Sequence, residues 1–217
     1  MVTTNYPKAC NPSYIYTIEE VSFLLNRVND CFIGSDVMIG GSLATYHALD
    51  FEYKSRYAQT MGKYDIDIFV LTDQRNIATC AFKHLITNHL GCVDLEKPDD
   101  PGYYKMEGVY KIYSLHHGKL NRKVNLIILD RKVYSTARNF LAKAMGHSLA
   151  ACCYINNTIG NYPSLLKLDE FERCQKDKTV RWKPELMTNL AVEKMLGRAK
   201  ILGFTTSAIK KPLSELF

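Results

Sequence analysis

Two aspartates, Asp65 and Asp67, sit two residues apart in the run Tyr64-Asp65-Ile66-Asp67-Ile68-Phe69-Val70-Leu71. The run is rich in β-branched and aromatic residues and stops at Thr72-Asp73-Gln74, which predicts a buried strand. Residues i and i+2 of a strand project from one face, so both carboxylates are expected to point the same way. Beside so apolar a run, two parallel negative charges are costly unless a cation neutralises them. A hard divalent cation such as Mg²⁺ suits them, because it takes one or two carboxylates and leaves sites open for phosphate oxygens. An edge strand with its polar face in water would produce the same pattern.

Upstream, Val37-Met38-Ile39-Gly40-Gly41-Ser42 reads as a short apolar strand ending in Gly-Gly-Ser, with helical character following from Leu43. Glycines let the backbone approach a ligand closely, and a helix N-terminus offers unpaired N–H groups to a phosphate. Ser42 adds a hydroxyl, though an ordinary N-capped turn looks the same. Downstream, Lys123-Val124-Asn125-Leu126-Ile127-Ile128 predicts another strand with a polar residue in an apolar frame. Lys54, Arg56 and Lys63 fall in a polar, tyrosine-bearing segment, 50–63, expected to be a loop whose cations either meet a triphosphate or are solvated.

The elements that must position these residues follow in order. Residues 1–15 read as an extended arm. Thr17-Ile-Glu-Glu has the form of a capping box, and the spacing of Val21, Leu24, Leu25 and Val28 predicts a helix over 18–31. A helix is expected from Gln74 to Leu90, with Ile77, Cys80, Ala81, His84 and Leu85 on one stripe, and an acidic loop from Asp94. Strands are expected at 103–106, 109–115 and 123–129, with His116-His117 in an exposed turn. Then come a helix over 135–144 capped near Ser135, a strand over 149–155, a helix from Pro163 to about Cys174 and a basic loop. A last helix is expected from Pro184 to Leu202, closed by Gly203.

The 217 residues suffice for one sizeable core with a helical appendage. No apolar run approaches a membrane span and the N-terminus does not read as a signal sequence, so a cytosol-like compartment without membrane association is expected. Seven cysteines without C-x-x-C spacing fit free thiols in a reducing environment. Of the net charge of +6, all resides between Lys176 and Lys211, where nine Lys/Arg face three acidic residues. That surplus suits contact with phosphates, or a solvated helix face. Trp182 lies among these cations and either stacks on a base or anchors a helix.

Gly41-Ser42 after a short strand, then a helix, then Asp65-Ile66-Asp67 in a buried strand, resembles the polymerase-β-like nucleotidyltransferase superfamily over roughly residues 35–130. A closing basic helix that ends in Gly203-Phe204 is similar to small phage-encoded members. The resemblance implies an α/β (α+β) fold: a small mixed sheet flanked by helices, with a core over 1–160 and a basic helical region over 161–217 packed on it. It implies a transferase moving NMP from an NTP to a hydroxyl of RNA, protein or a small molecule, with Mg²⁺ or Mn²⁺. Gly40, Gly41, Ser42 and Lys63 would hold the nucleotide, and Asp65 and Asp67 the cations. Asn125 stands where the family carries a third carboxylate, which holds the acceptor-side cation. An amide is neutral and a poor base, so the substitution should weaken that cation while sparing nucleotide binding. Asp130 belongs to the opposite strand face; Glu107 or a carboxylate of a protein acceptor would have to serve instead. The alternative is a catalytically impaired protein of this fold acting as an NTP- or protein-binding module.

Overall fold

A computed structural model describes residues 17–61, 65–74, 92–95, 106–117, 122–156 and 162–209, with only the backbone described at 65, 92–95, 115–117 and 122–123. Nine strands and six α-helices are assigned among these. Helix α1 (Ile18–Cys31) leads to strand β1 (Asp36–Gly40) and helices α2 (Gly41–Ala48) and α3 (Phe51–Thr60). Strands β2 (Asp65–Thr72), β3 (Cys92–Leu95), β4 (Val109–His117) and β5 (Arg122–Asp130) follow, then α4 (Ala137–Ala144), β6 (Cys152–Ile155) and β7 (Ser164–Lys167). The chain closes with α5 (Asp169–Asp177), β8 (Thr179–Trp182), α6 (Asn189–Leu202) and β9 (Thr205–Ala208).

Seven strands form one mixed sheet in the order β3-β4-β5-β2-β1-β6-β7. Strands β2 and β5 run parallel; every other neighbouring pair is antiparallel. The aspartate strand β2 is therefore central, not an edge. Ile66, Ile68 and Val70 on one face and Phe69 and Leu71 on the other are buried, the pattern of a strand covered on two sides. Helix α1 begins as the capping box requires: Thr17 Oγ1 accepts from the Glu20 N–H, and the Thr17 N–H donates to Glu20 Oε2 at 2.7 Å. Val21, Leu24, Leu25 and Val28 are its buried stripe. Phe140 of α4 meets Phe69 of β2 and Tyr134, with ring centroids 4.8 and 5.3 Å apart.

Several expectations are corrected. Segment 51–60 is helix rather than loop, because Tyr53 and Tyr57, one turn apart, bury their rings while Glu52, Ser55 and Arg56 stay exposed. The Gly-Gly-Ser does not precede its helix but enters it, since α2 starts at Gly41. His116 and His117 lie within β4, where both pair with β3 and β5, so they are strand rather than turn. Asp94 and Leu95 are likewise strand rather than loop. The helix after 135 is capped by Thr136, whose hydroxyl accepts from Asn139 N–H. Residues 148–150 form a 3₁₀ turn ahead of β6. Ser164–Lys167 is a strand, because pairing with β6 satisfies its backbone before α5 begins at Asp169. The expected basic loop contains β8, paired in parallel with β9. Pro184 opens a single 3₁₀ turn, and the last helix starts only after Thr188, whose hydroxyl caps it. Gly203 ends it as expected, at φ +77°. Of the helix expected from Gln74 to Leu90 and the strand expected over 103–106, residues 75–90 and 103–105 lie outside the described residues, as does the N-terminal arm, while Gln74 is not helical and Met106 is a bend. None of the helices described is long and apolar enough to cross a membrane.

Candidate functional site

One row of residues crosses the middle of the sheet. Gly40 of β1 pairs with Asp67 of β2, Asp67 with Asn125 of β5, and Asn125 with Ser114 of β4. Residues opposite one another in a ladder share a face, so register alone brings these four together. Hydrogen bonds run along the row: Ser114 Oγ donates to Asn125 Oδ1 at 3.2 Å, and Asn125 Nδ2 donates to Asp67 Oδ1 at 2.9 Å. Ser114, Asn125 and Asp67 are 2%, 3% and 9% exposed. A buried polar row of this kind survives only when its members satisfy one another.

The end of β1 is shaped to the same carboxylate. Gly41 has φ +66°, and a Cβ placed there would lie 2.2 Å from Asp67 Oδ2. A glycine is required at this position on both counts, conformation and space. Asp67 thus has one oxygen on the Asn125 amide and the other facing the bare backbone of the glycine turn. Asp65 opens the same strand and pairs with Lys123; only its backbone is described. Lys63 lies outside the described residues.

Ser42, in the first turn of α2, accepts a 2.6 Å hydrogen bond from Arg198 Nη2 of α6. The Arg198 guanidinium carbon stands 5.6 Å from the Tyr57 ring centre. A cation, a hydroxyl and the N-terminus of a helix are thereby collected at the glycine turn. His147 is held neutral nearby: burial, and secondarily the charge of Arg198, lower its pKa to about 3. Thr45 anchors α2 through Oγ1, which donates to Gly41 O at 3.0 Å or to Leu149 O at 2.8 Å.

The structure thus brings Gly40, Gly41, Asp67 and Asn125 together and places Ser42 at the next helix position. Glu107 does not join them: Gly108 O accepts from Asp130 N–H, so Glu107 belongs near position 130, five residues along β5 and roughly 17 Å from Asn125 at about 3.3 Å per residue. Two participants were not singled out by sequence. Arg198 counted only toward the basic surplus, and Ser114 was one polar residue in a strand. Trp182 is a half-buried strand residue bridged to His147.

Comparison with solved structures agrees with this architecture. A tRNA-processing enzyme in apo form I is 19% identical with a TM-score of 0.51, over 88% of this chain and 44% of that one. The fold is nucleotidyltransferase-like. A CCA-adding enzyme in apo form I (17% identical, TM-score 0.49, 96% and 42% covered) and one in complex with CTP (17%, 0.48, 92% and 40%) are also similar. The chain spans less than half the length of these solved chains. No protein-family model and no curated protein matches the sequence.

Proposed function

We propose that the chain is a nucleotidyltransferase that binds an NTP with Mg²⁺ or Mn²⁺ and moves NMP to a hydroxyl of RNA. The observation that carries this reading is the close approach of Asp67 to Gly41, which puts a carboxylate oxygen against a bare helix start inside a nucleotidyltransferase-like sheet. A carboxylate pointed at N–H groups that attract anions makes chemical sense when a cation and a polyphosphate share the space. The residues present fit one such ion: Asp67, with Asp65 on the same strand, would hold it. When bound, the cation acts as a Lewis acid on the triphosphate.

The chain's own residues do the rest. The turn at Gly40, Gly41 and Ser42, with Lys63, receives the β- and γ-phosphates through N–H groups and the Ser42 hydroxyl. Arg198 supplies a fixed positive charge there. The acceptor hydroxyl attacks the α-phosphorus in line and releases its proton to solvent, a P–O bond to the acceptor forms, and the bond to the departing pyrophosphate breaks. Asn125 takes no proton in this step, because its amide nitrogen is a donor. An RNA acceptor is supported by the basic C-terminal region and by the tRNA-processing description of one structural neighbour. A binding module without transfer is the second reading, favoured by the neutral Asn125 amide, bonded on both edges, where the resemblance places a third carboxylate.

Calorimetric titration of each NTP with Mg²⁺ or Mn²⁺, followed by transfer of labelled nucleotide to RNA, tests the proposal. Metal-dependent binding lost in Asp67→Asn and Asp65→Asn, with label reaching RNA, is the expected result. Binding without transfer to any acceptor favours the module. If wild type binds no NTP with either metal, the nucleotide site is refuted.

A further inference from the structure

The Asn125 amide has only one orientation that its neighbours accept. A carboxylate accepts and never donates, so the amide edge against Asp67 must be the NH₂ group. The carbonyl edge then lies toward β4, where the Ser114 hydroxyl donates to it. Turning the amide over would set two acceptors, Asn125 Oδ1 and the Asp67 carboxylate, against each other. Both residues are more than nine-tenths buried, so water is not at hand to offset that repulsion. Ser114 is itself 2% exposed, and its hydroxyl is the donor the structure gives to the amide oxygen.

This orientation decides what else the row can hold. An oxygen on the edge facing Asp67 would help ligate an ion between the two residues; an N–H in that place carries partial positive charge and opposes it. We infer that the Asp67 carboxylate selects the orientation of the Asn125 amide and that Ser114, bonded to its carbonyl edge, is a positioning residue that holds it there, so that the site takes one divalent cation with each bound nucleotide rather than a pair. The inference rests on the nucleotide site proposed above. Its consequence is a division of labour along the row. Asp67 stays fixed for the ion that accompanies the nucleotide, while position 125 is closed to an ion that would activate the acceptor.

The test counts Mn²⁺ by electron paramagnetic resonance at saturating non-hydrolysable NTP analogue, and follows the Asn125 NH₂ signals by ¹⁵N NMR without metal. One Mn²⁺ per nucleotide is expected for wild type and two for Asn125→Asp. In Ser114→Ala the Asn125 NH₂ protons should exchange with water at least tenfold faster, and Ser114→Thr should restore slow exchange, which general loosening of the strand would not do. Two Mn²⁺ in the wild-type complex, or NH₂ exchange indifferent to Ser114, overturns the inference. Wild type that holds no nucleotide-dependent Mn²⁺ at all overturns the nucleotide site itself, and is told apart because even the first ion is then missing. The ion count needs only wild type and Asn125→Asp, so that arm stands even if Ser114→Ala does not fold.

Discussion

Gly41→Ala is the substitution whose cost the structure resolves into separate parts. A side chain at φ +66° leaves the right-handed regions and costs about 1–2 kcal/mol. The new Cβ would also meet Asp67 Oδ2 at 2.2 Å and Cγ at 3.2 Å, an overlap of the kind that costs roughly 1–3 kcal/mol in a packed interior. The Asp67 side chain is short and its other oxygen is bonded to Asn125, so swinging it aside gives up that bond. Total destabilisation of about 2–5 kcal/mol is expected, or a smaller loss with Asp67 displaced and Mg·NTP binding lost.

Gly34 provides the control, with φ +79° and nothing within 4 Å of an added Cβ. Gly34→Ala should show the conformational part alone, about 1–2 kcal/mol. Urea melts of both variants, of Asp67→Ala and of Gly41→Ala/Asp67→Ala close the cycle. The double variant should be more stable than additivity requires by roughly 1–3 kcal/mol, because removing the carboxylate removes the overlap. Equal costs for Gly41→Ala and Gly34→Ala, together with wild-type Mg·NTP binding by Gly41→Ala, would refute the close approach of Asp67 to the turn.

Arg198→Gln should weaken NTP binding roughly 10- to 100-fold, the worth of one hydrogen bond to a charged group, while NMP binding is unchanged. Calorimetry with the two ligands checks it, and an equal loss for both would show that Arg198 acts only on the fold. His147 sets a pH dependence. Its folded-state pKa, about 3, lies below the unfolded value near 6.5, so between these limits the unfolded chain binds a proton that the native state refuses. The native state is unpenalised above pH 6.5 and loses stability as pH falls toward 3. His147→Phe should remove that part of the slope in a plot of unfolding free energy against pH; a slope identical to wild type would show that the ring is not kept neutral.

Whatever local chemistry dictates was legible in the sequence. Thr17 and Glu20 announced α1 because a capping box is complete within four residues. Asp65, Asp67 and Asn125 could be aligned because β2 and β5 are long apolar strands whose polar interruptions have few alternative positions. Helix α3 was hidden by its composition, yet the spacing Tyr53, Tyr57, Met61 carried the signal, and all three are buried. Strands β7, β8 and β9 were not legible, since each is four residues long and becomes a strand only by finding its partner. Thr179 reaches Thr205 across 26 positions. Ser114 and Arg198 share that difficulty. The one is selected by register across two strands, the other by the docking of α6.

That docking bears on how the turn would bind. Arg198 holds Ser42, Gln175 Oε1 accepts from the Asp50 N–H at 2.8 Å, and Phe204 meets Tyr53 edge-on at 5.0 Å. Thr45 ties the middle of α2 to Leu149. The glycine turn is therefore held from the C-terminal half of the chain as firmly as by its own strand. A turn already fixed in position does not charge its ordering to the ligand, so binding energy is kept for the phosphates. The same contacts set Arg198 of α6 beside the glycine turn. A change in α6 at Arg198 should then register at Ser42, through a single side chain, before it registers in stability.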